Sequence, residues 1–302
     1  MYSIKSVLRD AVDMLALVSD SALLDAEVLL CLALNQQRSH LRAWPDKPLQ
    51  PEQLAAFRTL LEQRQKGMPI AYITGNREFW SRNFQVSPDV LIPRPDTELL
   101  IELSLKLIPA DEPYKIIDLG TGSGIIAIIL AAECPQAHVS ATDFSVAALR
   151  IAQLNVDKHH INNIQLYQSD WFAGIPDTKF NLIISNPPYI AEDDSHLQQG
   201  DVRFEPQTAL CAAEQGLGDI TIITAAARNY LEPCGHLLIE HGYDQQQQVQ
   251  ALFKDLHYDK VQTYTDLSGQ PRVTYGQWNS CQAILPDTLR VNANLFRTDL
   301  PS

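Results

Sequence analysis

Asp118-Leu119-Gly120-Thr121-Gly122-Ser123-Gly124 stands directly after a short apolar run, Lys115-Ile116-Ile117, and directly before another, Ile125 to Ala132. A buried strand that ends in glycines and runs at once into a helix leaves few folds open. Glycine lets the backbone turn tightly and approach a ligand closely. The first turn of the following helix offers unpaired N–H groups. This is the opening strand–turn–helix of an open α/β sheet. The glycines fall as G-x-G-x-G, whereas a dinucleotide fingerprint needs G-x-G-x-x-G. Ile125 stands where the last fingerprint glycine would be, which disfavours a nicotinamide dehydrogenase.

The rest of the chain fits that opening. Segments 137–143, 164–170, 180–186 and 235–241 read as further strands, with helical patterns over Val146 to Val156, up to Leu231, and from Val249 to Leu256. VQTYTDL (261–267) and RVTYG (272–276), joined by Ser268-Gly269-Gln270-Pro271, read as a closing hairpin. Alternating strands and helices predict a mostly parallel sheet covered on both faces.

Residues 1–75 differ. Ile4, Val7, Leu8, Ala11 and Leu15 recur at helical spacing. Ser21 is placed to cap a second helix through Ala26, Leu29, Leu30 and Ala33, and Pro51 suits the first turn of a third through Leu54, Phe57, Leu60 and Leu61. A small helical bundle is expected, followed by a hairpin linker over 76–95, the sheet domain over 96–277 and a C-terminal extension over 278–302. The extension mixes Pro, Asn and Asp with scattered Leu and Val, so it is expected to be poorly ordered or surface-packed and to carry no chemistry.

Three acidic or aromatic positions stand at predicted strand ends, where open α/β sheets bind ligands. Asp143 is placed to accept from both hydroxyls of a ribose. Asp170 and Trp171, side by side, suit an adenine: the carboxylate for its amino group, the indole for its face. Any one Asp is as readily a loop or helix cap; the three in order point to a nucleoside.

Asn186-Pro187-Pro188-Tyr189 follows the apolar strand Leu182-Ile183-Ile184-Ser185. Consecutive prolines stiffen the backbone and remove N–H donors, so nearby carbonyls are free to accept from a ligand. The Asn186 side chain adds another acceptor, and Tyr189 is expected to form an aromatic wall. Two acceptors and a ring can hold a planar NH2 group. The blander alternative is a rigid turn after a strand.

Composition narrows the partners. Formal net charge is −13, without a run of Lys or Arg, which disfavours direct binding to the phosphate backbone of nucleic acid. The five cysteines, Cys31, Cys134, Cys211, Cys234 and Cys281, form no CxxC pair and suit reduced, buried thiols; no metal site is expected. The N-terminus lacks the continuous apolar core of a secretory signal, and no stretch reaches the roughly 18 apolar residues of a membrane span. A cytoplasmic protein with no membrane association is expected.

Taken together, these motifs resemble the class I methyltransferases that carry an NPPY motif, and more closely the release factor glutamine N5-methyltransferases (the PrmC/HemK family). The pieces that carry the resemblance are REFW (77–80), IPRPDTE (92–98), DLGTGSG (118–124), NPPYI (186–190) and DVRFEP (201–206). It implies a seven-stranded Rossmann-like methyltransferase domain of the α/β class with a small N-terminal helical bundle. It implies S-adenosyl-L-methionine as cofactor, held by Gly120, Thr121, Gly122, Ser123, Gly124, Asp143, Asp170, Trp171 and Asn186. It implies Asn186, Pro187 and Tyr189 as catalytic, and Asn186, Pro187, Pro188 and Tyr189 as the holders of a substrate glutamine. That glutamine would lie in the Gly-Gly-Gln loop of class 1 peptide chain release factors, bound with help from the helical domain and Arg94. Arg94 is as readily a structural ion-pair partner. A monomer is expected. The rivals are a glutamine methyltransferase for a ribosomal protein, a nucleic-acid adenine N6-methyltransferase that flips its base, the nicotinamide dehydrogenase disfavoured above, and a non-enzymatic binding module.

Overall fold

The computed structural model describes residues 2–278; the predicted extension beyond Trp278 lies outside them. The N-terminal part is helical: α1 (Ile4–Leu15), α2 (Ala22–Leu34), α3 (Arg38–Ala43), α4 (Pro51–Gln65) and α5 (Ile70–Thr74). Ser3 and Ser6 form a reciprocal capping box at the start of α1. Ile4, Val7, Ala11 and Leu15 face inward there, on Leu29 and Leu30 of α2 and Phe57 and Leu61 of α4. Pro51 occupies the first turn of α4, where its missing N–H is no loss. Ser21 stands at the start of α2, but its hydroxyl bonds the Asp25 carboxylate at 3.1 Å and does not cap the backbone.

The linker is the antiparallel hairpin β1 (Asn76–Phe79) and β2 (Arg82–Gln85). Its two connecting residues, Trp80 and Ser81, both have positive φ, 53° and 54°. That is the turn whose twist matches paired strands. A helix that the apolar pattern did not announce follows, α6 (Thr97–Leu107).

The second domain continues through β3 (Tyr114–Leu119), α7 (Ile125–Glu133), β4 (Ala137–Asp143), α8 (Val146–Lys158), β5 (Ile164–Gln168) and β6 (Phe180–Ser185). The short strands β7 (Ile190–Ala191) and β8 (Cys211–Ala212) pair with each other around a long loop of 3-10 turns. Then come α9 (Ala213–Gly216), α10 (Gly218–Ala227), β9 (Leu231–Glu240), α11 (Gln246–Asp255) and the hairpin β10 (Tyr258–Thr265) and β11 (Pro271–Trp278). Seven strands form one sheet in the order β10-β11-β9-β6-β3-β4-β5. All neighbours are parallel except those of β11.

Successive residues on the central strands go to opposite faces. Ile116, Leu182, Ile184 and Leu238 join the core beneath α6 and α7; Ile117, Ile183, Leu237 and Ile239 join the core beneath α10 and α11. Burial on both faces is why these strands read as unbroken apolar runs. The strand order reverses between β3 and β6, and a cleft opens at that switch point, beyond the carboxyl ends of the strands.

The loop 201–206 ties both domains to the linker. Arg64 of α4 is buried and pairs with Asp25 at 2.8 Å and with Asp201 at 3.0 Å. Arg203 donates to the Lys66 carbonyl at 3.2 Å. Among the described residues, Cys31, Cys134 and Cys211 are free thiols, half-buried where full burial was expected.

Candidate active site

The glycine turn is built for close approach. Gly120, Gly122 and Gly124 have φ of 71°, 55° and 83°, a region that side chains avoid. A Cβ on Gly124 would stand 3.2 Å from the Ala152 Cβ and 3.3 Å from its backbone, so glycine there lets α7 and α8 meet. The Thr121 N–H donates to the Thr142 carbonyl at 2.8 Å, and the Gly122 N–H to Asp143 Oδ2 at 2.9 Å. Asp143 Oδ1 accepts from Ser145 N–H at 2.8 Å. Burial pushes the Asp143 carboxyl above its ordinary pKa, and these two N–H groups oppose that rise.

The cleft encloses about 270 Å³. Gly120, Thr121, Gly122 and Ser123 line one wall, with Asp143, Asp170 and Trp171 beside them. Gly124 is the cap of α7 and is not part of the lining. Trp171 has φ 47° and presents its ring to Gly120, where an added Cβ would touch it at 3.4 Å. Its carbonyl is held by the Ser169 hydroxyl at 2.8 Å. Two lining residues had no sequence signal of their own. Phe144 is 75% exposed at the cleft, and Asp219 is raised in pKa by burial and by Asp170.

Asn186 and Pro188 line the opposite side. The Asn186 Nδ2 donates to Thr97 Oγ1 at 3.2 Å, so its Oδ1 is the end turned away from Thr97. No described residue donates to Oδ1, nor to the backbone carbonyls of Asn186 and Pro187. Pro187 is buried and not part of the lining. The Tyr189 ring also lies away from the cleft. It packs against the core beneath α10 and α11, with its hydroxyl near Glu240. Its backbone is pinned by the Leu210 carbonyl at 3.2 Å and by Gln245 Nε2 at 3.0 Å. Arg94 pairs with buried Glu205, whose other oxygen accepts from Ile92 N–H at 3.1 Å. That carboxylate fastens the linker to the 201–206 loop.

The donor set fits a sulfonium nucleoside: an anionic ribose acceptor, an aromatic face, and backbone N–H groups at a helix start. Residues 6–75 match the PrmC N-terminal domain model and residues 96–205 the methyltransferase small domain model. The chain is 46% identical over 275 residues to the release factor glutamine methyltransferase of Shewanella oneidensis, covering 91% of this chain and 96% of that one. To those of Vibrio cholerae and Escherichia coli it is 49% and 45% identical, covering 87% and 90% of this chain and 92% and 97% of theirs. The chain belongs to the release factor glutamine methyltransferase family. A methyltransferase from Pyrococcus furiosus shares the fold, with a TM-score of 0.51 at 14% identity, covering 72% of this chain and 98% of that one.

In this family member, three buried polar residues to which the sequence assigned no role stand behind the cleft. Asn155 accepts from Gln85 N–H at 2.7 Å and donates to the Ser123 carbonyl at 2.8 Å, joining the linker hairpin to the glycine turn. Asp118 accepts from the Thr121 hydroxyl at 2.6 Å, while its Oδ1 is buried without a partner. Glu240, at the end of β9, lies beside the hydroxyls of Thr97 and Tyr189, and its Oε2 has no partner. Burial pushes both carboxyls up, each to about 7.

Proposed function

We propose that this methyltransferase transfers a methyl group from S-adenosyl-L-methionine to the side-chain amide nitrogen of the glutamine in the Gly-Gly-Gln loop of class 1 peptide chain release factors. The observation that carries this is Asn186, which lines the same cleft as the glycine turn, Asp143 and Trp171 and whose side-chain oxygen has no internal donor.

An amide nitrogen is a poor nucleophile, because its lone pair is delocalised into the carbonyl. Two acceptors on its N–H bonds aim the lone-pair face at the donor and stabilise positive charge as it develops on nitrogen. Orientation of this kind supplies roughly 7–11 kcal/mol. S-adenosyl-L-methionine, when bound, supplies a methyl already activated by its sulfonium, so a metal is not required. Asp143 would hold the ribose, Trp171 and Phe144 the base, and the turn Gly120 to Ser123 the remainder. The stiff Pro187-Pro188 pair holds the acceptors in place, with Tyr189 fastening the turn from behind.

The helical domain, residues 6–75, would dock the protein substrate. Leu17, Leu23, Leu24, Leu32 and Trp44 are exposed there, apolar side chains that a protein partner would cover on docking. Arg94, engaged by Glu205, would shape the linker rather than bind the partner directly. No helix among the described residues is long and apolar enough to cross a membrane; a monomer working in the cytoplasm is proposed. Incubation with methyl-labelled S-adenosyl-L-methionine and a release factor tests the function. Label on the native factor, and none on a factor whose loop glutamine is changed to alanine, is expected. Equal labelling of both would sink it.

A further inference from the structure

The two ends of an asparagine amide have nearly the same shape and opposite chemistry. Rotated by half a turn, Asn186 would present two donors to the cleft in place of one acceptor, at little steric cost. Facing a substrate NH2, those donors would oppose binding. Something must select the orientation, and the residues behind Asn186 are arranged to do so.

Thr97 is the first residue of α6 and is 2% exposed. Its hydroxyl has one proton and lone pairs to accept with. Beside it stands Glu240, an end-of-strand carboxyl that is 1% exposed and so placed to take that proton. The lone pairs face Asn186, whose Nδ2 donates to them at 3.2 Å. With Nδ2 engaged, Oδ1 is left for the cleft. The Tyr189 hydroxyl also lies near Glu240, so one carboxyl stands behind both the asparagine and the tyrosine of the same turn. Arg272 stands near Glu240 and is itself held by Asp96, the residue before Thr97, at 2.9 Å. The start of α6, the end of β9 and the start of β11 thus meet behind the turn.

We propose that Thr97 and Glu240 are positioning residues that set the direction of the Asn186 amide, so that its oxygen and not its NH2 meets the substrate nitrogen. This rests on the reading of Asn186 as the substrate's acceptor. Thr97 acts through its hydroxyl, and Glu240 acts by keeping that hydroxyl's proton away from Asn186.

The test compares Thr97→Val, Thr97→Ser and Asn186→Ala in the full chain, with a release factor as methyl acceptor. Valine matches threonine in shape and lacks the hydroxyl; serine keeps it. Thr97→Val is expected to lower kcat by about 10-fold, less than removal of the acceptor itself. S-adenosyl-L-methionine affinity by calorimetry should change by less than about twofold, because the cofactor end of the cleft is untouched. Thr97→Ser should restore most of the rate. Normal kcat in Thr97→Val, alongside a disabled Asn186→Ala, would overturn the positioning role and leave the site reading standing. Normal turnover in Asn186→Ala would instead overturn the site reading. Equal losses in the Val and Ser variants, or a loss of cofactor affinity matching the loss of kcat, would mark a merely structural threonine and also overturn it. If the valine variant does not fold, Thr97→Ala replaces it in the same comparison with serine.

Discussion

The backbone N–H of Gly122 is hydrogen-bonded to the Asp143 carboxylate at 2.9 Å, so the apex of the glycine turn and the end of β4 form one unit. The same carboxylate also accepts from Ser145 N–H. Each oxygen keeps a lone pair for a further donor. Asp143 therefore braces the turn and keeps lone pairs with which the proposed ribose hydroxyls would bond.

Asp143→Ala should weaken binding of S-adenosyl-L-methionine by about 10- to 100-fold, since hydrogen bonds to a charged group are worth roughly 1.5–3 kcal/mol each. Titration calorimetry measures this directly. Unchanged affinity would show that the ribose assignment is wrong.

Asn186→Ala should cut turnover on a release factor by roughly 10²–10³-fold, as removal of one transition-state partner does elsewhere. Asn186 is half-buried at a cleft, and its one internal bond is to Thr97. Thermal unfolding should therefore move little. Near-normal single-turnover rates in this variant would refute the amide clamp.

The fold was legible where burial repeats along the chain. Ile116-Ile117 and Leu182 to Ile184 read as strands because both faces of the sheet are covered. The spacing of Gly120, Gly122 and Gly124 marked the tight turn after the first strand of the sheet, where all three take positive φ. The helix over Thr97–Leu107 did not stand out. It follows IPRP closely, and Leu99, Leu100, Ile101 and Leu103 form nearly a continuous apolar run that blurs a helical period. Thr97, Asn155 and Glu240 were invisible as site residues for another reason. Each acts through partners distant in sequence, and a polar residue inside an apolar pattern does not declare whom it meets. Glu240 closes the strand GHLLIE as an ordinary charged terminus, and only the packing of α6 against β9 puts Thr97 beside it. Tyr189 shows the converse. Its place in the motif suggested a wall of the cleft, yet its hydroxyl finds a buried acceptor behind the turn.

The strut between the domains should separate two kinds of ion pair. Arg64 and Asp25 are both 8% exposed at the side chain, whereas Asp201 is 45% exposed. Arg64→Met leaves buried Asp25 with only the Ser19 and Ser21 hydroxyls and no countercharge, and should destabilise by about 3 kcal/mol. Asp201→Asn leaves Arg64 paired with Asp25 and should cost about 1 kcal/mol or less. Urea unfolding of the two variants checks the ranking. Comparable losses would mean that the exposed member carries the strut.

Asp118 predicts how stability depends on pH. It is fully buried, accepts from the Thr121 hydroxyl at 2.6 Å, has the Ala127 N–H nearby, and has an unpartnered Oδ1. Burial pushes its carboxyl up to about 7, against the pull of those two donors, and nearby Asp143 adds to the rise. Below about pH 4 the group is protonated in both folded and unfolded chains. Between about pH 4 and about pH 7 the folded chain keeps the proton and the unfolded chain does not. Stability from this group therefore falls as pH rises through that window, by at most about 1.4 kcal/mol per pH unit, and is level above it. Asp118→Asn does not titrate. Its amide oxygen can take both donors, and its NH2 would occupy the place of the unpartnered oxygen. The stability of Asp118→Asn relative to the parent chain should grow from about pH 4 to about pH 7 and then plateau. Differencing the two chains cancels the titration of other groups, including Glu240, which is raised to about 7 by the same cause. Urea midpoints at several pH values test this, and a difference that stays constant across the window would show that Asp118 is already ionised in the folded protein.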